Sequence, residues 1–169
     1  MFAIGDKVVH PVHGAGVIED VETREVSGAP KDYYVLNIHS CNMRVMVPCS
    51  NAEDLGVRNI ISISEYDNVL QALGGAGFEE DTSISKEKWN YRYRILMDKI
   101  KSGDVYELAE IIRALSIRNR LKPLSSGEKR LFDQAWDILV SELALVSGAS
   151  IDAVSDTVEE SLQLSAVCE

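Results

Sequence analysis

Two groups of residues have side chains and spacings that could do chemistry. The first is His10-Pro11-Val12-His13, with Cys41 and Cys49 further along. Imidazole and thiolate suit zinc, but neither a Cys-x-x-Cys pair nor two histidines one helical turn apart are present, and Pro11 and Gly14 make the segment a turn. No metal is expected there. No glycine-rich phosphate loop, Gly-x-Ser-x-Gly elbow or kinase signature occurs, and no serine is paired by spacing with a His or Asp. The sequence points away from an enzyme and calls for no cofactor.

The second group is Glu87-Lys88-Trp89-Asn90-Tyr91-Arg92-Tyr93-Arg94, an aromatic and basic run in a chain of net charge −10. Charge is segregated along the chain: residues 1–64 carry −3, residues 65–85 carry −5, residues 86–130 carry +6 and residues 131–169 carry −8. An acidic average argues against a protein that binds nucleic acid unaided. A local basic stretch flanked by acids argues for a polyanion partner, although solvated helix faces also collect Lys and Arg. Trp89 falls near the start of a helix, where free backbone N–H groups and the macrodipole favour phosphate. With Lys86, Lys88, Arg92 and Arg94 around it, it has the composition of a minor-groove wedge between phosphate clamps. The spacing also allows Trp89 to head an apolar stripe with Tyr93, Leu96 and Ile100 and pack on a neighbouring helix.

The elements that must position these residues come in two blocks. Up to about residue 64 the chain reads as short strands, DKVVH, GAGVIEDVE, DYYVLNIH and NMRVMVP, with a turn at GAPKD (28–32). A segment of that size suggests a small closed or half-closed barrel. From there the period is helical. SEYDNVLQAL ends at Gly74-Gly75, and the acidic stretch 74–84 reads as a linker. Ser85 is a candidate N-cap for the helix carrying Trp89, and Gly103 ends it. Asp104 opens a helix with the stripe Val105, Leu108, Ile112 and Leu115. Ser125 and Glu128 form a capping box before a long helix with Phe132, Trp136, Leu139 and Leu143 on its core face. Ser150 starts an acidic last helix, 150–164. The fold class is α+β, a β module at 1–64 followed by an all-α bundle at 65–169.

The odd cysteine count, Cys41, Cys49 and Cys168, without a secretory signal fits a reducing cytoplasm, and no apolar run is long enough to span a bilayer.

The ordered set FAIGDKVVHPVHGAGVI, VETREVSG, YYVLNI, MRVMVP, NAEDLGVR, KWNYRYR with IKSGDV, and LSSGEKRLFDQAWDILVSELAL resembles the CarD/CdnL family of bacterial transcription regulators. The resemblance covers most of the chain up to about residue 146. It implies a Tudor-like or SH3-like β module that binds the β subunit of RNA polymerase, related to the polymerase-interacting module of transcription-repair coupling factors. It also implies a helical module that touches promoter DNA at the upstream edge of the bubble. The family's wedge tryptophan falls on Trp89 and its basic neighbours on Arg92 and Arg94, while an often basic position is Tyr91 here. On the polymerase side the match is Arg24. A second family arginine falls on Met46, with Arg44 two residues earlier on the same strand face, and strand 42–48, including Val45 and Pro48, is offered as an edge. The protein implied is a cytoplasmic monomer when free, associated with the nucleoid through polymerase, with no membrane partner. A rival expectation is a protein adaptor that docks on polymerase and never touches DNA.

Overall fold

The computed structural model describes residues 1–75 and 89–167, with the backbone alone at 89 and 164–167. Ser85, Lys86, Lys88 and most of the expected linker lie outside the described residues. The strands β1 (Lys7–His10), β2 (Gly14–Val26), β3 (Ala29–Ile38), β4 (Met43–Pro48) and β5 (Arg58–Asn59) come first. The helices α1 (Ile63–Leu73), α2 (Trp89–Lys101), α3 (Val105–Leu121), α4 (Ser126–Ser147) and α5 (Ile151–Val167) follow. The fold is α+β.

The strands form one antiparallel sheet in the order β4-β3-β2-β1-β5. Among the described residues the outer strands do not pair with each other, so the expected barrel is only half closed. The β2–β3 turn is tighter than the one expected at 28–32. It consists of Ser27 and Gly28, both with positive φ (54° and 80°), between the paired residues Val26 and Ala29. Such a two-residue turn matches the right-handed twist of the hairpin. Pro30 therefore sits inside β3, opposite Glu25. It is tolerated because β4 pairs only with Tyr33–Ile38, leaving β3 without a second neighbour at that end.

Alternation along β1 decides how the sheet meets the helices. Val8 and Val9 point to opposite faces. Val8 joins Ile18, Tyr34, Leu36, Ile38 and Val47 in a small cluster, whereas Val9 and its pairing partner Ala15 join the larger helical core. Burying a valine this completely contributes roughly 1.5–3 kcal/mol. The contact is close because Gly14 and Ala15 lie against α4: the Ala15 N–H donates to Ser141 Oγ at 2.9 Å, and that hydroxyl donates to the Ile138 carbonyl at 2.9 Å. Gly14 has φ +96°, and a Cβ there would stand 2.7 Å from Ser141 Oγ.

The helix boundaries follow from their caps. Asp104 Oδ1 accepts the Tyr106 N–H at 2.8 Å, and the Ser125–Glu128 capping box is complete. Ser150 Oγ accepts the Ala153 N–H at 3.1 Å at the start of α5. Val105, Leu108, Ile112 and Leu115 are all buried, as the stripe in α3 requires. In α4 the buried face is turned from the expected one. Leu131, Ala135, Ile138, Leu139 and Leu143 fill the core, while Phe132 and Trp136 stack at its border (5.6 Å between ring centroids) and stay partly covered. A helix with two faces to satisfy, one toward the sheet and one toward its neighbours, moves its bulkiest rings to the rim.

Gly14→Ala should lower stability by about 2–4 kcal/mol, combining left-handed backbone strain with the collision against Ser141. Gly28→Ala, strained but with open space around it, should cost about 1–2 kcal/mol. Urea midpoints measure both, and equal losses would mean that the approach to α4 is not tight.

Candidate functional site

Trp89 is the first described residue of α2. From it the helix runs down the bundle with Ile100 buried and Tyr93 and Leu96 packed on the core, while Tyr91 and Arg94 are exposed. The expected basic flank of the wedge divides. Lys86 and Lys88 lie outside the described residues, Arg94 is on the surface, and Arg92 is not.

Arg92 points inward and donates to Glu128 Oε1 at 2.7 Å, with side-chain exposures of 11% and 5% for the pair. The expectation that Arg92 clamps a DNA phosphate is corrected here: its guanidinium is committed inside the protein. Glu128 also receives Arg118 Nε at 3.1 Å, and its Oε2 accepts the Ser125 N–H at 3.1 Å in the capping box. Burial, followed by the nearby Arg118 charge, pushes the Arg92 pKa down, and Glu128 opposes that shift. A buried carboxylate persists only when paired and hydrogen-bonded, and here α2, α3 and α4 each supply a partner. The sequence signal that could have revealed this was the capping-box glutamate itself, an acid in a basic neighbourhood.

This junction gathers three helix ends. The start of α2, the end of α3 and the start of α4 meet there, and with them Arg94, Lys122, Lys129 and Arg130 come to one end of the bundle, all exposed. Arg120, beside them, donates to the Leu162 carbonyl of α5 at 3.1 Å. The charge of Lys122, Lys129 and Arg130 was legible in the basic region 86–130; their place at the same end of the bundle as Arg92 was not, because it depends on a long-range ion pair.

On the sheet, Arg24 and Arg44 flank one acid. Arg24 lies 3.2 Å from Glu22, and Arg44 lies 3.8 Å from Glu22 and 3.5 Å from Glu19. Both arginines are about three-fifths exposed, and surface pairs of this kind contribute only about 0–1 kcal/mol. A partner carboxylate can recruit either arginine at little cost. The strand β4 is a sheet edge. The Cys49 N–H donates to the Asp32 carbonyl at 2.9 Å, and the register pairs Tyr33 with Pro48, so the alternation of an antiparallel ladder turns the backbone groups of Arg44, Met46 and Pro48 outward. Their side chains share the outer face. Val45 differs from the expectation: its side chain packs with Val47 on the small core cluster, and by the same alternation its backbone groups face β3, so it offers an edge partner neither.

His10 and His13 stand 4.8 Å apart between ring centroids at the β1–β2 turn. His10 Nδ1 accepts the Val12 and His13 N–H groups at 3.1 and 3.3 Å. That nitrogen is thus a turn acceptor, and burial, with His13 second, lowers its pKa from 6.5 to about 4. Among the described residues no three His, Cys, Asp or Glu side chains group as a metal site.

Two family models match the chain, the CarD-like/TRCF RID domain over residues 2–61 and the CarD C-terminal domain over residues 75–159. A Bacillus subtilis (strain 168) protein described as "Putative transcription factor YdeB" is 36% identical over 148 residues, spanning 88% of this chain and 94% of the relative.

Arg92→Ala should lower stability by about 2–3 kcal/mol, less than a full broken buried pair because Arg118 stays on Glu128, whereas Arg94→Ala should stay within about 0.5 kcal/mol. Chemical denaturation distinguishes them, and a neutral Arg92→Ala would contradict the junction. The depressed His10 pKa means that the unfolded chain takes up a proton first, so stability should fall as pH drops from 6.5 toward about 4. His10→Asn, which keeps a turn acceptor, should flatten that part of a melting-temperature profile; an unchanged slope would show that other groups cause it.

Proposed function

Because the chain belongs to the CarD family of transcription factors, we propose that it holds the RNA polymerase β subunit with its sheet and stabilises the promoter open complex. In this proposal residues 1–64 dock on polymerase and residues 65–169 meet promoter DNA at the upstream edge of the bubble. Trp89 enters the minor groove there, with Arg94, Lys86 and Lys88 on the backbone beside it and Tyr91 next to them. The observation that carries the proposal is that Arg92 and Arg118, both on Glu128, bring α2, α3 and α4 together at the end of the bundle where Arg94, Lys122, Lys129 and Arg130 are exposed. That end of the bundle presents exposed cations to a polyanion.

Phosphate contacts position such a module and carry no sequence information of their own. On an acidic body they bind DNA weakly, each neutralised phosphate adding about one unit to the salt slope. Docking changes the scale. A second contact made from a polymerase-bound protein gains about 10²–10⁴ in avidity, or roughly 3–5 kcal/mol, comparable with the cost of unstacking a base step. The net charge of −10 then suppresses binding to DNA where no polymerase stands. Stabilisation requires that Trp89 fit melted DNA better than closed DNA, since only differential affinity shifts an equilibrium. On the polymerase side the outward edge of β4, at Arg44, Met46 and Pro48, pairs with a strand of the β subunit, and Arg24 and Arg44 supply polar contacts. The free protein is a cytoplasmic monomer that reaches the nucleoid through polymerase.

Trp89→Ala should shorten the open-complex lifetime at least tenfold under heparin challenge while polymerase affinity stays within twofold of the parent. A lifetime that does not respond to the substitution, together with polymerase-bound protein that binds forked promoter duplex without salt dependence, would favour an adaptor that never touches DNA.

A further inference from the structure

Glu128 is not the only buried acid on α4. Glu142 is fully buried, and both terminal guanidinium nitrogens of Arg58, from β5, reach it as a fork, Nη1 to Oε1 at 2.7 Å and Nη2 to Oε2 at 2.8 Å. The Ile61 N–H adds a third bond to Oε1 at 2.9 Å, and Arg58 Nη1 also donates to the Asn59 carbonyl at 3.1 Å. Glu128 and Glu142 are fourteen residues apart, close to four helical turns, so they lie on nearly the same face of α4 and about 21 Å apart along its axis. The 13 residues of α2 span about 20 Å. Its first turn is tied to Glu128 by Arg92. Its far end reaches Arg58: a Cβ on Gly103, just past α2, would touch Arg58 Cδ at 3.5 Å, and one on Gly56 would stand 3.2 Å from the Lys101 carbonyl.

We infer that Arg58 is a positioning residue: by gripping Glu142 while lying along the α2–α3 turn, it sets the distance and angle between the polymerase-docking edge of the sheet and the Trp89 end of α2. The inference rests on the proposed function for its consequence and on the geometry for its mechanism. Among the described residues Arg58 Nε is buried with no hydrogen-bond partner, an arrangement that favours geometric definition over stability. Buried ion pairs are often no more stabilising than apolar substitutes of similar volume, and their better attested use is to fix register. A planar fork on a carboxylate fixes two directions at once, which a lysine ammonium cannot do. Two anchors on one helix make α4 a ruler. The benefit of docking, an effective concentration of the DNA-binding end at the promoter, depends on that end being presented at the right reach.

The test uses the full chain carrying Arg58→Met with Glu142→Gln, which removes the charges while glutamine keeps an acceptor for the Ile61 N–H, and Arg58→Lys as the conservative variant. Spin labels at positions 31 and 98, on the β2–β3 hairpin and on exposed α2, report the distance between the two parts. The double variant should melt within a few degrees of the parent and bind polymerase within twofold. It should broaden or shift the interlabel distance and shorten the open-complex lifetime at least tenfold, with Arg58→Lys in between. A parental lifetime despite a changed distance would overturn the inference, as would an unchanged distance. If the double variant does not fold, the pair is a folding determinant and the positioning role falls. Should the parent itself leave the open-complex lifetime unaltered, the proposed function fails instead, and the interlabel distance still decides whether Arg58 sets the arrangement.

Discussion

Two carboxylates sealed beneath one face of α4 govern where everything else can go. A carboxylate out of water must be met by charge and hydrogen bonds. Glu128 and Glu142 recruit their partners from other elements: Arg92 from α2, Arg118 from α3, Arg58 from β5 and the Ile61 backbone from the segment before α1. A hydrophobic core alone tolerates sliding by fractions of a turn, but these bonds do not. They set the start of α2 beside the start of α4 and the end of the sheet beside the middle of the bundle. Gly14 and Ala15 complete the arrangement by bringing backbone against Ser141, where a side chain would hold the two parts away.

The same pairs sort the positive charge of the chain. Arg58, Arg92 and Arg118 are turned toward buried acids, while Arg94, Lys122, Lys129 and Arg130 remain on the surface. The first group defines shape and the second is available to a polyanion. A protein of net charge −10 can thus present a basic end. Arg24 and Arg44 behave differently again, sharing exposed acids on the sheet in bonds weak enough to exchange.

Much of this was readable from local pattern. The strands, the caps at Asp104 and Ser125, the glycine stop after α1 and the buried stripe of α3 are each decided within a few residues, and the structure has them where propensity and capping put them. The turn at Ser27-Gly28 was misplaced because Pro30 and Asp32 are strong turn residues, whereas strand twist selected the tighter pair. The site was legible in type more than in place. The basic run containing Trp89 and Arg94 stands out in the sequence, but nothing within it separates Arg94 from the inward-facing Arg92. Both fit an amphipathic helix, and the difference lies in an acid far along the chain. The apolar alternation of β4 placed Arg44 and Met46 together and, followed one step further, would have turned Val45 inward. Arg58 and Glu142 gave no signal, since a charged residue inside an apolar helix is explained only by its partner.

What lies against position 89 when polymerase occupies a promoter separates a wedge from a buried ring. A photo-crosslinking amino acid at that position, activated in the assembled open complex, measures this directly. Adducts with nucleotides at the upstream fork are expected, and they should be absent when polymerase is omitted at physiological salt. Adducts confined to side chains of α3 and α4, with none on DNA, would contradict it.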